Sequence, residues 1–240
     1  MSVNLAIALT KSGNRVGIID ADVYGPNVPM MLGISSQLES DGKKIVPAEK
    51  YGIRVVSMGF LADEKAPLIW RGPMLHGVVR QFLQDVRWGE LDYLVVDMPP
   101  GTGDVALSLS QTVPVSGAVV VTTPQKVSLA DSRRAVAMYE KLNIQTLGII
   151  ENMSYYVCPG CEQEADLFGK GGGVQIAEEL NIPFLGQIPL CTPIRVGGDT
   201  GAPIVSVEPD SPGGQAFLQA AERTVEQLSI ASKKPLAPVL

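Results

Sequence analysis

Two hydrophobic periods alternate along the chain. Short, nearly continuous apolar runs at 16–20 (VGIID), 93–97 (YLVVD), 117–123 (GAVVVTT), 144–151 and 184–190 (FLGQIPL) read as buried strands of a parallel sheet. Between them, segments 2–11, 74–86, 105–111, 128–142, 174–180 and 211–228 carry apolar residues at helical spacing. In 74–86, for example, Leu75, Val78, Val79, Phe82 and Leu83 fall on one face. Gly13 is the expected C-cap of the first helix, and Ser211 with Pro212 the N-terminal signal of the last.

Strands and helices in alternation predict an α/β fold: a doubly wound, mostly parallel sheet flanked by helices, with right-handed crossovers. Residues 43–60 hold two β-like pieces separated by a polar turn, expected as an antiparallel excursion at the sheet edge. Residues 66–71 read as a turn and 193–200 as a short helical or loop stretch. No repeat and no linker divides the chain. Residues 1–230 are therefore expected to form a single domain with a cysteine-bearing loop at 152–173, and 231–240 a disordered tail.

Composition narrows the function classes. The 240 residues carry a formal net charge of −6 and no Lys/Arg block, which argues against nucleic acid or an anionic membrane as the main partner. No apolar run is long enough to span a bilayer, and no basic-then-apolar signal opens the sequence. Three cysteines do not make a disulfide framework, so the expected compartment is the reducing cytoplasm.

The candidate chemistry sits at the strand ends. Asp97 closes an apolar run and is followed by Pro-Pro-Gly-Thr-Gly-Asp. A carboxylate at the carboxyl end of a parallel strand lies where open α/β sheets bind ligands, and there it commonly holds magnesium beside nucleotide phosphates. Asp20 and Asp22, at another strand end, can hold a magnesium-bound water and orient an attacking one; an Asx-type solvated turn is the equal alternative. With Asn152, these ends are expected along one sheet edge. The usual phosphate loop, G-x-x-x-x-G-K-[ST], is absent from these residues, and the FGKGGG run at 168–173 is not one. The pair Cys158 and Cys161, around Pro159-Gly160, supplies half of a tetrahedral zinc or iron–sulfur site. A redox dithiol and a plain turn are the competing readings. Four sulfurs would require two chains meeting symmetrically. Cys191 is a possible third ligand that nothing in the sequence fixes near the loop, and the favoured reading is a small buried residue.

Together the stretches DADVYGPNVP, WRGPM, WGELDYLVVDMPPGTGD, TTPQKVSLAD, ENMS, CPGC, FGKGGG and LGQIPL resemble, in order and over almost the whole chain, the Mrp/ApbC family of iron–sulfur cluster carriers within the MinD/ParA-like P-loop ATPases. The resemblance implies a P-loop NTPase-type sheet. It implies that Asp20 holds magnesium through water, that Asp22 orients the attacking water, that Asp97 is the Walker B carboxylate and that Asn152 contacts adenine. It also implies that Cys158 and Cys161 ligate a labile 4Fe–4S cluster shared across a homodimer. ATP binding and hydrolysis would be coupled to cluster transfer between assembly scaffolds and apo-proteins. A non-enzymatic iron–sulfur or zinc scaffold and a MinD/ParA-type positioning ATPase are the alternatives. The family carries GKGGVGKS[ST] just before the helix that here begins SVNLAIAL. The first strand, the P-loop and its lysine are therefore expected to lie outside these 240 residues, and the chain as given to bind ATP poorly.

Overall fold

The computed structural model describes residues 1–22, 25–35, 38–40, 42, 44–60, 72–101, 103–158, 160–161 and 163–233. The expected turn at 66–71 and most of the expected tail lie outside them. The chain falls into two compact units, Met1–Val113 with Thr192–Gln215, and Pro114–Cys191 with Ala216–Leu240.

The first unit contains, in chain order, α1 (Ser2–Lys11), β1 (Val16–Asp20), α2 (Val28–Leu32), β2 (Glu39–Ser40), β3 (Ile45–Val46), β4 (Ala48–Lys50), β5 (Ile53–Ser57), α3 (Gly72–Gln84), β6 (Tyr93–Asp97) and α4 (Gly103–Thr112). The second contains β7 (Ala118–Thr122), α5 (Lys126–Lys141), β8 (Thr146–Val157), β9 (Glu164–Ala165), α6 (Gly172–Glu179) and β10 (Phe184–Leu190). The chain then returns to the first unit with α7 (Thr192–Thr200) and α8 (Ile204–Val207) and ends in α9 (Pro212–Lys233).

In the first unit the strand order is β4-β5-β1-β6. β1 pairs in parallel with both β5 and β6, so that Asp20 stands opposite Ser57 on one side and Asp97 on the other. Every residue of β1 is buried, which is why its sequence is apolar without alternation. On α1, Val3, Ala6, Ile7 and Leu9 are buried, and Gly13 follows the helix at φ 86°. The segment expected as an antiparallel excursion divides. β4 is antiparallel at the edge, as its polar AEK sequence allows, whereas β5 is a parallel strand in the body of the sheet. Its near-complete burial required a neighbour on each side.

In the second unit the order is β10-β8-β7, all parallel, with β9 antiparallel to the end of β8. Val120, Leu129, Ile149, Ile176 and Ala177 form its core. β8 does not stop near residue 151, where its apolar pattern ends, but runs to Val157 because β9 folds back against it. The last helix begins as expected, with the Ser211 hydroxyl accepting the Gly214 N–H at 3.1 Å. It continues to Lys233, so the first residues of the expected tail are helical.

Candidate functional site

In the first unit the parallel register brings three strand ends to one edge: Ser57 of β5, Asp20 of β1 and Asp97 of β6. Asp20 is 1% exposed. Its Oδ2 accepts the Ser57 hydroxyl at 2.8 Å and the Val28 N–H at 3.2 Å, and its Oδ1 accepts the Asp22 N–H at 3.3 Å. Burial pushes its pKa up to about 6 against the pull of these donors, and the Asp97 charge adds to the rise. Asp97, half-buried, accepts the hydroxyl of Ser2, the first residue of α1. The positive end of that helix therefore abuts the carboxylate edge. Two carboxylates at the same register level of adjacent strands, one of them stripped of water, form a donor set that a divalent cation would stabilise. Asp22 is half-buried and its Oδ1 accepts the Gly25 N–H at 3.0 Å. Ser2 and Ser57 had no signal in the sequence, since a serine becomes a carboxylate partner only through tertiary placement, here the start of α1 for Ser2 and strand register for Ser57.

In the second unit β8 carries Asn152, half-buried and level with Ile188 of β10. Asn152 is thus not a strand end. The strand ends along the edge of the first sheet are those of Ser57, Asp20 and Asp97, while Asn152 belongs to the second sheet. Beyond it, Tyr156 and Val157 pair with Ala165 and Glu164, and the Cys158 N–H donates to the Gln163 carbonyl at 3.0 Å. This hairpin presents Cys158, half-buried, and Cys161, exposed, on one turn, neither in a disulfide. The N–H groups of Gly160 and Cys161, then the Cys161 thiol, pull the Cys158 thiol below the ordinary thiol range. Among the described residues no group of three or more His, Cys, Asp or Glu side chains could hold a metal ion. Cys191, expected as a buried residue, is half-buried; it follows Leu190, which is level with Tyr156, and its charge acts on Tyr155.

The glycine run is explained by packing. A Cβ at Gly172 would lie 2.8 Å from the Pro124 carbonyl oxygen, and one at Gly173 2.9 Å from Glu151 Cβ. The N–H of Gly173, in the first turn of α6, donates to the Glu151 carboxylate. An internal carboxylate already occupies this helix start. Glu151, named in the sequence only as part of ENMS, is the functional candidate that sequence reasoning passed over.

A family model described as "ParA: NUBPL iron-transfer P-loop NTPase" matches residues 1–225. The chain is 50% identical over 238 residues, 97% of its own length and 67% of the relative's, to the iron-sulfur cluster carrier protein of Synechocystis. It thus spans about two thirds of that relative's length. Among solved structures it is similar to a nucleotide-binding protein from Archaeoglobus fulgidus in complex with ADP, with TM-score 0.75, 35% identity, and coverage of 90% of this chain and 84% of that one. The septum site-determining protein MinD from Pyrococcus horikoshii, at TM-score 0.67, 22% identity and coverage of 97% and 92%, shares the fold. No helix among the described residues is long and apolar enough to cross a membrane. By the family model and by identity over nearly its whole length, the chain belongs to the ParA-type, NUBPL-like iron-transfer P-loop NTPases.

Proposed function

We propose that the protein is an iron–sulfur cluster carrier, in which Cys158 and Cys161 of two copies together hold a labile 4Fe–4S cluster and pass it to apo-proteins. The observation that carries this reading is the cysteine turn at the tip of the β8–β9 hairpin. It offers two adjacent sulfurs, one with its pKa held low and one exposed, on an extension that a partner can reach. A low thiol pKa favours the thiolate that iron binds, and exposure favours exchange over permanent retention. Two sulfurs leave a four-ligand cluster half-held, and a second copy supplies the matching pair. The names of the relatives support the same assignment.

The carboxylate edge fits magnesium-ATP. Asp20 and Asp97 would hold the ion, directly or through water, with Asp22 orienting the attacking water. The start of α1 offers a favourable field for phosphate oxygens. Magnesium would supply charge compensation to the phosphates. The protein's own part is to keep Asp20 dry and fixed, through Ser57, Val28 and Asp22.

The test is anaerobic reconstitution with iron and sulfide, comparing the wild type with Cys158→Ser/Cys161→Ser. The expected result is loss of bound iron, of visible absorption and of the cluster-dependent dimer in the variant. Iron and sulfide retained at the wild-type level would sink the assignment.

A further inference from the structure

Glu151 is 0% exposed, the most deeply buried carboxyl group among the described residues. Its donors are a backbone N–H, a hydroxyl and an amide, from three separate pieces of chain. Gly173, in the first turn of α6, donates to Oε2; Ser154 of β8 donates to Oε1 at 2.5 Å; and Gln187 of β10 donates to Oε1 at 3.3 Å. Ser154 lies in β8 ahead of the cysteine turn, inside the irregular stretch of its pairing with β10, and Gly173 lies in the first turn of α6, where the chain comes back after that turn.

We propose that Glu151 is a positioning residue: its carboxylate clasps both ends of the cysteine arm, residues 154–173, and thereby sets the thiol pair for cluster binding. The proposal rests on reading Cys158 and Cys161 as cluster ligands. Burying a carboxylate is costly unless several donors meet it, so a Glu in this place needs a reason beyond filling space. The clasp supplies one. Glu151 itself is rigidly held, level with Thr122 of β7 and Gln187 of β10. Beyond it the pairing of β8 with β10 slips between Ile188 and Leu190. The ladder is irregular between Asn152 and Tyr156, and the carboxylate ties the chain at Ser154, within that irregular stretch. Gly173 has no room for a Cβ, which would lie 3.0 Å from Glu151 Oε2, so the approach of the returning chain is itself shaped around this group.

The substitution Glu151→Gln separates the clasp from simple space filling. Gln has the same shape. Its carbonyl can still face the Gly173 N–H, while Ser154 and Gln187 can turn to accept from its amide. What it removes is the charge that makes the clasp strong. Ser154→Ala, which deletes one donor without crowding, is the second variant. Two measurements test the idea. Hydrogen exchange on metal-free protein reads the arm without any cluster, and chelator-driven iron release reads its consequence in reconstituted protein. For both variants we expect exchange at 156–165 to accelerate about tenfold and iron release to quicken several-fold, the weight of one charge-assisted bond weakened to a neutral one. Exchange at 147–150 and the melting temperature should stay near wild type. Unchanged arm exchange, or acceleration shared equally by 147–150, would overturn the clasp. Wild-type protein that holds no iron at all would instead overturn the carrier reading, while the exchange experiment would still judge the clasp.

Discussion

Replacing Asp20 by Asn is expected to make the protein more stable at neutral pH. Burial has pushed the Asp20 pKa from 3.8 to about 6. The group is thus protonated more readily in the folded chain than in the unfolded one. Its contribution is therefore fully favourable below pH 3.8, declines as pH rises through the window to about 6, and is a constant cost above it. The full cost corresponds to about 3 kcal/mol, of which about 2 kcal/mol is added between pH 4.5 and 7.5. Asn has no charge to desolvate. Its oxygen can accept from Val28 and Asp22, and its amide can donate to the Ser57 hydroxyl, which turns to accept. The assay is urea unfolding of wild type and Asp20→Asn at both pH values, in chelator-treated buffer without divalent cations. The gap in unfolding free energy between variant and wild type should move by about 2 kcal/mol in the variant's favour from pH 4.5 to 7.5. All other titrating groups are common to both proteins and cancel. A gap that is the same at both pH values, or that moves the other way, would refute the reasoning. Magnesium should stabilise the wild type and leave the variant unmoved, because the ion relieves the Asp20–Asp97 repulsion that Asn has already removed.

Gly33 and Gly201 cap α2 and α7 at φ 64° and 71°, and a Cβ on Gly201 would lie 2.5 Å from Gly33 Cα. Gly201→Ala should lose about 2–4 kcal/mol from left-handed strain and overpacking, read from the urea midpoint. An unchanged midpoint would mean that the two helices part freely. In metal-free protein, alkylation of Cys158 followed by mass spectrometry against pH should show a midpoint below that of an ordinary thiol, and urea should abolish the difference. A native midpoint equal to the unfolded one would remove the support given by Gly160 and Cys161. The double cysteine variant and Glu151→Gln complete the set.

The sequence by itself determined the class of fold and most elements, and it named the aspartates and cysteines of the two candidate centres. Periodicity is local, so VGIID and YLVVD announce buried strands wherever their neighbours lie, and Cys-Pro-Gly-Cys closes a turn by its own geometry. The family-wide stretches likewise carried the assignment that the relatives bear out. Tertiary structure alone decided what depends on pairing. Register set Ser57, Asp20 and Asp97 side by side, and no local pattern records which strand lies next to which. The return of β9 carried β8 past Asn152, although the apolar pattern had already stopped. A second neighbour turned β5 from an expected edge piece into an inner strand. Glu151 shows the limit most clearly: a glutamate in a strand reads as solvent-facing. Only the convergence of Ser154, Gly173 and Gln187, far apart along the chain, makes its burial tolerable and gives it a task.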